Sequence, residues 1–116
     1  MADILEITKS EGNGFTIMRL KGRLESVTST SLAQAVEGWK QSAHGGLMFD
    51  CRDLAYVSSA GLRVFLTCGK QGKAEGWNFA LFGPQAVVMD VLRISGFDRI
   101  LNVYADEPSA VAALST

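Results

Sequence analysis

The first part of the chain contains two stretches in which apolar and polar residues alternate. Residues 5–10 (LEITKS) alternate with the two-residue period of a β-strand, and residues 15–21 (FTIMRLK) do so less strictly. The segment EGNG joins them, and its Asn-Gly pair is typical of a tight turn between antiparallel strands. The pattern predicts a β-hairpin.

From Thr28 onward the apolar period changes to that of an amphipathic helix. The members of one apolar stripe follow the i, i+3, i+4, i+7 spacing: Leu32, Ala35, Val36 and Trp39. Thr28 or Ser29 is available as the N-cap, and Gly45 with Gly46 ends the helix. Because Trp39 belongs to this stripe, it is predicted to lie in the core.

Three further apolar segments have the length of buried strands, and a helical segment follows each. The predicted strands are 46–51 (GLMFDC), 77–82 (WNFALF) and 100–104 (ILNVY). The helix after the first of them covers about 60–71. Pro84, in the first turn, opens the next helix, and Ser95-Gly96 ends it. Asp106 caps the last helix.

The order of these elements is strand, strand, helix, followed by three strand–helix repeats (ββαβαβαβα). Such alternation predicts right-handed crossovers and a mixed, mostly parallel sheet of about five strands with about four helices, to which the antiparallel hairpin is added at the front. A chain of 116 residues is long enough for one core and too short for two. The prediction is a single α/β domain over residues 1–116.

Charge and composition exclude several classes of function. Eleven basic and twelve acidic residues leave a formal charge of −1, which gives no electrostatic footprint for nucleic acid or anionic lipid. No apolar run reaches the roughly 20 residues of a membrane span, and no secretory signal is visible, so a cytoplasmic protein without a membrane partner is expected. Cys51 and Cys68 lack metal-ligand spacing and are predicted to be reduced and buried, and no metal or cofactor is expected.

Two adjacent serines lie at a junction between a predicted strand and a predicted helix. Residues 54–66 read LAYVSSAGLRVFL, which places Ser58 and Ser59 in the connecting loop. In open α/β sheets, sites usually form in loops that leave the carboxyl end of a strand. One hydroxyl can cap the helix. A cap accounts for only one serine, however, and it does not explain Gly61, where alanine would favour the helix more.

A nucleophilic Ser59 is the enzyme interpretation. Ser59-Ala60-Gly61 matches the second half of G-x-S-x-G, but Val57 stands where the first glycine belongs. The only histidine, His44, precedes the serine, whereas the hydrolase fold places its histidine after it. Because a serine without a base in reach is a poor nucleophile, catalysis is not favoured.

In a third interpretation Ser59 accepts a phosphoryl group. A phosphate adds roughly −1.5 to −2 charges, and at a helix N-terminus it meets free backbone N–H groups and the positive end of the helix dipole. Since the charge is stabilised locally, the modification changes the surface that a partner contacts more than it changes the fold. This behaviour suits a switch in binding.

Three segments are distributed over most of the length of the chain: KGRLES before the first helix, LAYVSSAGLRVFL around the two serines, and RISGFDRILNVYADEPSAVAAL near the end. They resemble, in that order, the G-x-L-D turn, the phosphorylation loop with the second helix, and the tail of STAS domains. The resemblance is specifically to the small standalone bacterial anti-sigma-factor antagonists. It implies the STAS fold and a regulatory binding protein without catalytic activity or cofactor.

The resemblance also implies partners. Members bind an anti-sigma factor that is also a serine/threonine kinase, and they thereby free a sigma factor. The kinase phosphorylates the antagonist, and a metal-dependent phosphatase of the PP2C type reverses the modification. By position the phosphoacceptor is Ser59, two residues before Gly61, with Ser58 as the second choice. A monomer or weak homodimer is expected.

Partner contacts are implied around the serine loop and the neighbouring turn. The implied partner-binding residues are Gly22, Glu25, Ser58, Ser59, Ala60, Gly61, Leu62 and Arg63. Two of these differ from the family's usual pattern, because Ser58 and Glu25 each stand where Asp is common. Ser58 removes a carboxylate beside the phosphoacceptor and adds a second hydroxyl. The alternative function is a phosphorylation-independent STAS scaffold, or a subunit of a transport or signalling assembly.

The other polar candidates show no pattern of chemistry. The aspartates are scattered, without the spacing of paired carboxylates or of a metal cage, and are predicted to be solvated or capping: Asp50, Asp53, Asp90, Asp98 and Asp106. Arg63 can meet a phosphate or an acidic partner, although an exposed helical arginine needs no special role.

Overall fold

Five strands and four α-helices form the part of the chain that the structure, a computed structural model, describes: residues 4–42 and 45–115. In chain order they are β1 (Leu5–Gly12), β2 (Phe15–Leu24), α1 (Ser26–Ser42), β3 (Gly46–Val57), α2 (Ser59–Glu75), β4 (Phe79–Phe82), α3 (Ala86–Ser95), β5 (Asn102–Tyr104) and α4 (Glu107–Leu114). The predicted order ββαβαβαβα is confirmed. A 3₁₀ turn (Phe97–Arg99) between α3 and β5 was not predicted.

The strands form one mixed sheet in the order β1-β2-β3-β4-β5. The pair β1–β2 is antiparallel, and the other three pairs are parallel. Asn13 and Gly14 connect β1 to β2 with φ angles of 57° and 83°, which is the left-handed backbone that a two-residue hairpin turn of type I′ requires. The predicted hairpin and the mostly parallel sheet are therefore confirmed.

Helices cover both faces of the sheet. Alternate residues of a strand point to opposite faces, and the strands accordingly contribute to two apolar clusters. The larger cluster joins residues such as Leu47 and Phe49 to α1, α2 and α3, whereas the smaller one joins Met48 and Phe82 to Ala110 of α4. Trp39 lies in the larger cluster, with 5% of its surface exposed, as its place in the apolar stripe predicts.

Several predicted boundaries were wrong. Helix α1 begins at Ser26, so Thr28 and Ser29 lie inside it and neither is its N-cap. Strand β3 runs six residues beyond the predicted 46–51, to Val57. Its register with β2 shifts at two points, and these irregularities disturb the apolar pattern of the extension. Pro84 precedes α3, and Gln85 occupies the N-cap position.

The end of the chain and the cysteines match their predictions. The Asp106 side chain accepts a hydrogen bond of 2.9 Å from the Ser109 N–H and so caps α4, as predicted. Cys51 and Cys68 are buried, free thiols. Burial raises the pKa of both, that of Cys68 to about 12. None of the helices within residues 4–42 and 45–115 is long and apolar enough to cross a membrane.

Candidate functional site

The loops that follow β2 and β3 lie side by side at one edge of the sheet. These strands are parallel neighbours, and their last residues, Leu24 and Val57, face each other in the register. The Ser58 N–H donates a hydrogen bond of 2.9 Å to the Leu24 carbonyl, which joins the two loops directly. The structure therefore brings the serine pair next to the turn that contains Gly22 and Glu25.

Ser58 is the N-cap of α2. Its backbone is extended (φ −91°, ψ 175°), and its Oγ accepts a hydrogen bond of 3.3 Å from the Gly61 N–H. Its carbonyl accepts a further bond of 2.9 Å from the Leu62 N–H, the first bond along the helix. The half-buried Ser58 hydroxyl is thus engaged in starting the helix.

Ser59 is the first residue of α2 and is exposed. Among the described residues, none accepts a hydrogen bond from the Ser59 or Ala60 N–H groups, and none bonds the Ser59 hydroxyl. The first turn of α2 carries no acidic side chain. An anion at Ser59 would therefore meet two backbone donors and the positive end of the helix dipole, without repulsion from its own turn.

Gly61 allows α2 to approach the sheet closely. A Cβ at this position would lie 2.7 Å from Leu24 Cγ and 2.8 Å from Val57 Cγ2, which is closer than real Cβ atoms come. Helix propensity would favour alanine here, but the space does not exist. The glycine that the sequence left unexplained therefore sets the distance between α2 and the ends of both strands.

The neighbouring turn is held by its own contacts. Gly22 has φ +122°, and a Cβ there would collide with the carbonyl of Ile4, the residue before β1, so the position requires glycine. The Arg23 guanidinium lies 4.4 Å from the centroid of the Tyr56 ring and contacts Glu25 Oε1 at 3.3 Å. The Thr28 hydroxyl accepts a bond of 2.8 Å from the Glu25 N–H. It also donates one of 2.8 Å to the Arg23 carbonyl.

The implied partner-binding residues differ in how far their side chains are exposed to a partner. Ser59 and Arg63 are exposed, whereas Glu25, Ser58 and Ala60 are half-buried. Leu62 is only 8% exposed and belongs to the core, so its side chain cannot form part of a contact face. Gly61 is buried as well. Both residues position α2, and the accessible surface is made by their neighbours.

Sequence reasoning missed a groove that α1 and α2 form beside the serines. It has a volume of about 260 Å³ and is mostly apolar, with Val36 and Val64 in its lining. Ala60 and Arg63 also line it, so the groove reaches the residue next to Ser59. Periodicity could assign Val36 to an apolar stripe, but the groove depends on how the two helices pack.

An exposed apolar side chain near the beginning of α1 was also missed. Val27 is 81% exposed and follows the Gly22–Glu25 turn by two residues. A signal for it exists in the sequence, since Val27 falls outside the stripe that contains Leu32 and Val36. An apolar residue off the buried stripe of a helix is expected to face solvent or a partner.

The prediction that all five aspartates are solvated or capping was wrong for Asp50. This residue of β3 is 2% exposed, and its carboxylate accepts hydrogen bonds of 3.0 and 2.7 Å from Arg52 Nε and Nη2. Burial raises the pKa of Asp50, but the Arg52 side chain and N–H outweigh burial and hold it below its usual value. Asp53 pairs with Arg19 at the surface.

Among the residues that the structure describes, no groups for metal or nucleophilic chemistry are assembled around Ser59. Within the described ranges no three His, Cys, Asp or Glu residues are grouped as metal ligands. His44, which the enzyme interpretation required, lies outside the described residues. What the described site does offer is an exposed hydroxyl, two backbone donors and a nearby guanidinium on the rim of an apolar groove.

Comparison with known proteins gives consistent matches over the whole fold. A model of the STAS domain family matches residues 6–110. BtrV of Bordetella bronchiseptica, provisionally named an anti-sigma factor antagonist, is 30% identical over 112 residues, which cover 97% of each chain. A structure from Thermotoga maritima with the same provisional name has a TM-score of 0.86 at 18% identity and 95% coverage of both chains.

SpoIIAA of Bacillus shares the fold and has been solved in two states. Its unphosphorylated form, named an anti-sigma factor antagonist, has a TM-score of 0.78 at 18% identity, with 95% of this chain and 96% of that chain covered. Its phosphorylated form has a TM-score of 0.71 at 17% identity, with 94% and 99% covered. At these identities the structural matches establish the fold.

Proposed function

This chain belongs to the STAS domain family, and on that premise we propose that it is an anti-sigma-factor antagonist whose binding is switched by phosphorylation of Ser59. The observation that carries the proposal is the exposed hydroxyl of Ser59 at the first position of α2, beside a neighbour already engaged as the cap. The names of BtrV and SpoIIAA support the class of function. The expected location is the cytoplasm.

The proposed partner is an anti-sigma factor that is also a serine/threonine kinase. It would contact the edge of the sheet where the loops after β2 and β3 are joined by the Ser58–Leu24 hydrogen bond. The accessible contributors there are Glu25, Val27, Ser59 and Arg63 together with the adjoining groove. This face is small and combines apolar with charged groups, as transient regulatory interfaces do.

The chain would supply only the acceptor in the modification reaction. Ser59 Oγ attacks the γ-phosphorus of ATP held by the kinase, and a new Oγ–P bond forms as the bond to the β,γ-bridging oxygen breaks. ADP leaves with that electron pair, and the hydroxyl proton passes to a base of the kinase. A PP2C-type phosphatase reverses the change when water attacks the phosphorus and the serine oxygen leaves as the alcohol. The chain itself is not an enzyme.

Phosphorylation is expected to weaken binding without unfolding the chain. The phosphate lies at a helix start that accommodates negative charge, so the fold tolerates it. In the complex, the same two negative charges must be desolvated or placed against the partner, and every 1.4 kcal/mol of that cost reduces affinity tenfold.

Substitutions at Ser59 test the proposal by calorimetry with the anti-sigma factor. Ser59→Ala should bind like the wild type, and the affinity of Ser59→Asp should be lower by a factor of about ten or more. Ser10→Asp is the matched control, because Ser10 is an exposed residue of the edge strand β1 and its substitution should leave affinity unchanged. Equal affinities for Ser59→Asp and Ser59→Ala would support the phosphorylation-independent scaffold instead.

The modification can be mapped independently of affinity. The chain is incubated with the kinase and ATP and analysed by mass spectrometry, which should place phosphate on Ser59. An unmodified Ser59 in the presence of a kinase that is active on a reference substrate would refute the switch. Phosphate on Ser58 would refute the assignment to Ser59 and would transfer the switch to the capping residue.

A further inference from the structure

Arg63 lies on the same face of α2 as Ser59. The two residues are four apart, so their side chains are neighbours on the helix surface, and both are exposed. Long side chains in a helix lean toward its N-terminus, which directs the Arg63 side chain back over the turn that begins with Ser59. An anion that precedes a cation by four residues is also the more favourable orientation of such a pair.

In the described part of the chain, the acidic side chains of the adjacent turn and of the groove are already paired with other cations. Glu25 Oε1 lies 3.3 Å from Arg23 Nη2 in the adjacent turn. Glu37, which lines the same groove as Arg63, lies 3.7 Å from Lys40 Nζ. Arg63 itself forms no ion pair with any residue in 4–42 or 45–115. With respect to these residues, its guanidinium is therefore available to an added anion.

We infer that Arg63 is the residue that holds the phosphate of phosphorylated Ser59, and that this contact withdraws Arg63 from the partner. The inference rests on the proposed function, since it names how the same site is regulated. A guanidinium forms charge-assisted hydrogen bonds with phosphate oxygens, and phosphoserine carries nearly two charges. The contact forms within one helix and needs no movement of another element.

In the unmodified chain Arg63 is free to meet a carboxylate of the partner. It lines an apolar groove, so a partner side chain in the groove would bring its neighbouring acidic residue close to the guanidinium. Phosphorylation would then change the contact face twice, because it adds negative charge at Ser59 and neutralises the positive charge at Arg63. A single modification would thus convert an attractive charge into a repulsive one.

The intrahelical contact is tested on the chain alone. The protein is prepared with phosphoserine at position 59, and the second pKa of the phosphate is measured by ³¹P NMR in the chain that retains Arg63 and in the Arg63→Gln variant. Because a nearby cation favours the dianion, the pKa should be lower by about 0.3 pH unit or more where Arg63 is present. Lys70→Gln is the matched control, since Lys70 is an exposed cation later on α2 and its loss should not shift the pKa. Equal pKa values with Arg63 and in the Arg63→Gln variant would overturn the inference.

The withdrawal of Arg63 from the partner is tested by measuring four affinities for the anti-sigma factor. The four proteins are the wild type and Arg63→Gln, each unmodified and phosphorylated at Ser59. Unmodified Arg63→Gln should bind about threefold to tenfold more weakly than the unmodified wild type. Phosphorylation should then weaken the variant by a correspondingly smaller factor than it weakens the wild type. An equal factor in both proteins, or a larger one in the variant, would refute withdrawal. If phosphorylation does not weaken the wild type at all, the proposed function fails, while the ³¹P measurement still decides whether Arg63 holds the phosphate.

Discussion

Among single residues, the site depends on the different environments of two adjacent serine hydroxyls. Ser58 Oγ accepts the Gly61 N–H, so this hydroxyl is engaged in the helix cap, whereas the Ser59 hydroxyl is exposed. A serine at the cap satisfies the backbone donor without adding charge, and the first turn of α2 contains no acidic residue. A phosphate on Ser59 would therefore experience no repulsion from its own helix.

The close packing of α2 against the sheet at Gly61 predicts that a larger residue there is destabilising. Alanine at this position should lower the free energy of unfolding by about 1–2 kcal/mol, because overpacking against Leu24 and Val57 costs more than the gain of up to about 1 kcal/mol in helix propensity. The measurement is urea unfolding followed by circular dichroism.

The matched control for Gly61 is Gly38, in α1. A Cβ there would meet nothing within 4 Å, so Gly38→Ala should stabilise the protein by up to about 1 kcal/mol through helix propensity alone. If Gly61→Ala were stabilising to the same extent, close approach would not be the reason for glycine at this position.

At the scale of elements, periodicity predicted which segments form helices and strands but not where they begin. The Leu32–Trp39 stripe identified α1, yet its first residues carry no apolar period. The Thr28 hydroxyl bonds backbone groups of Arg23 and Glu25 from the third position of the helix, so the polar residue chosen as the N-cap lies within the first turn. The first residue of such a helix is determined by the turn that precedes it. The apolar periodicity of the helix contains no information about that turn.

The site was predictable to a similar extent. Ser58 and Ser59 were located from a strand–helix junction, and the choice of Ser59 and of the Gly22–Glu25 turn came from family resemblance. The groove could not be predicted, because it is formed by two helices whose packing depends on the whole sheet. Leu62 was placed on the contact face although it is buried, since a position near the serines does not determine which way a side chain faces.

Strand β3 contains a buried carboxylate that makes stability depend on pH. The pKa of Asp50 is held below its usual value, since burial, which raises it, is outweighed by hydrogen bonds from Arg52. The pair therefore stabilises the fold above the unfolded pKa of about 3.9, and this contribution is lost as the pH falls through the lowered folded pKa. In Arg52→Gln, burial would remain without the compensating cation.

Arg52→Gln should accordingly be less stable than the wild type by about 1–2 kcal/mol at pH 7. The value is modest because the Arg52 side chain is 59% exposed and solvent screens it. The difference should shrink as the pH is lowered toward 4, where protonation of Asp50 relieves the variant. Urea unfolding at both pH values measures it.

Arg93→Gln is the control for the buried pair. Arg93 lies 3.7 Å from Asp90 on α3, and the two side chains are 63% and 64% exposed, so the loss should be within about 1 kcal/mol and should change little with pH above 4. Equal losses for the two arginine variants at pH 7 would show that the burial of Asp50 does not make its pair more important.

At the scale of the whole molecule, the candidate site and α4 occupy different parts of the sheet. The site lies where β2 and β3 end and where α2 begins, on the side covered by α1 and α2. Helix α4 covers the opposite face, and the Asn13–Gly14 turn lies at the other end of β2. Ten residues of extended strand separate that turn from Leu24 by about 30 Å, within a molecule whose longest dimension is 40 Å.

Hydrogen exchange in the complex should therefore show a footprint on one edge of the molecule. With saturating anti-sigma factor, amides in residues 22–28 and 58–63 should exchange more slowly, because the proposed partner covers both loops and excludes solvent from the start of α2. Amides of α4 and of the Asn13–Gly14 turn should be unchanged and serve as internal controls. At a partner concentration close to the Kd of the unphosphorylated chain, the chain phosphorylated at Ser59 should show a much weaker footprint, because most of it would then be unbound. Slower exchange concentrated in α4 would place the interface on the opposite face of the sheet, where a phosphate on Ser59 could not reach the partner.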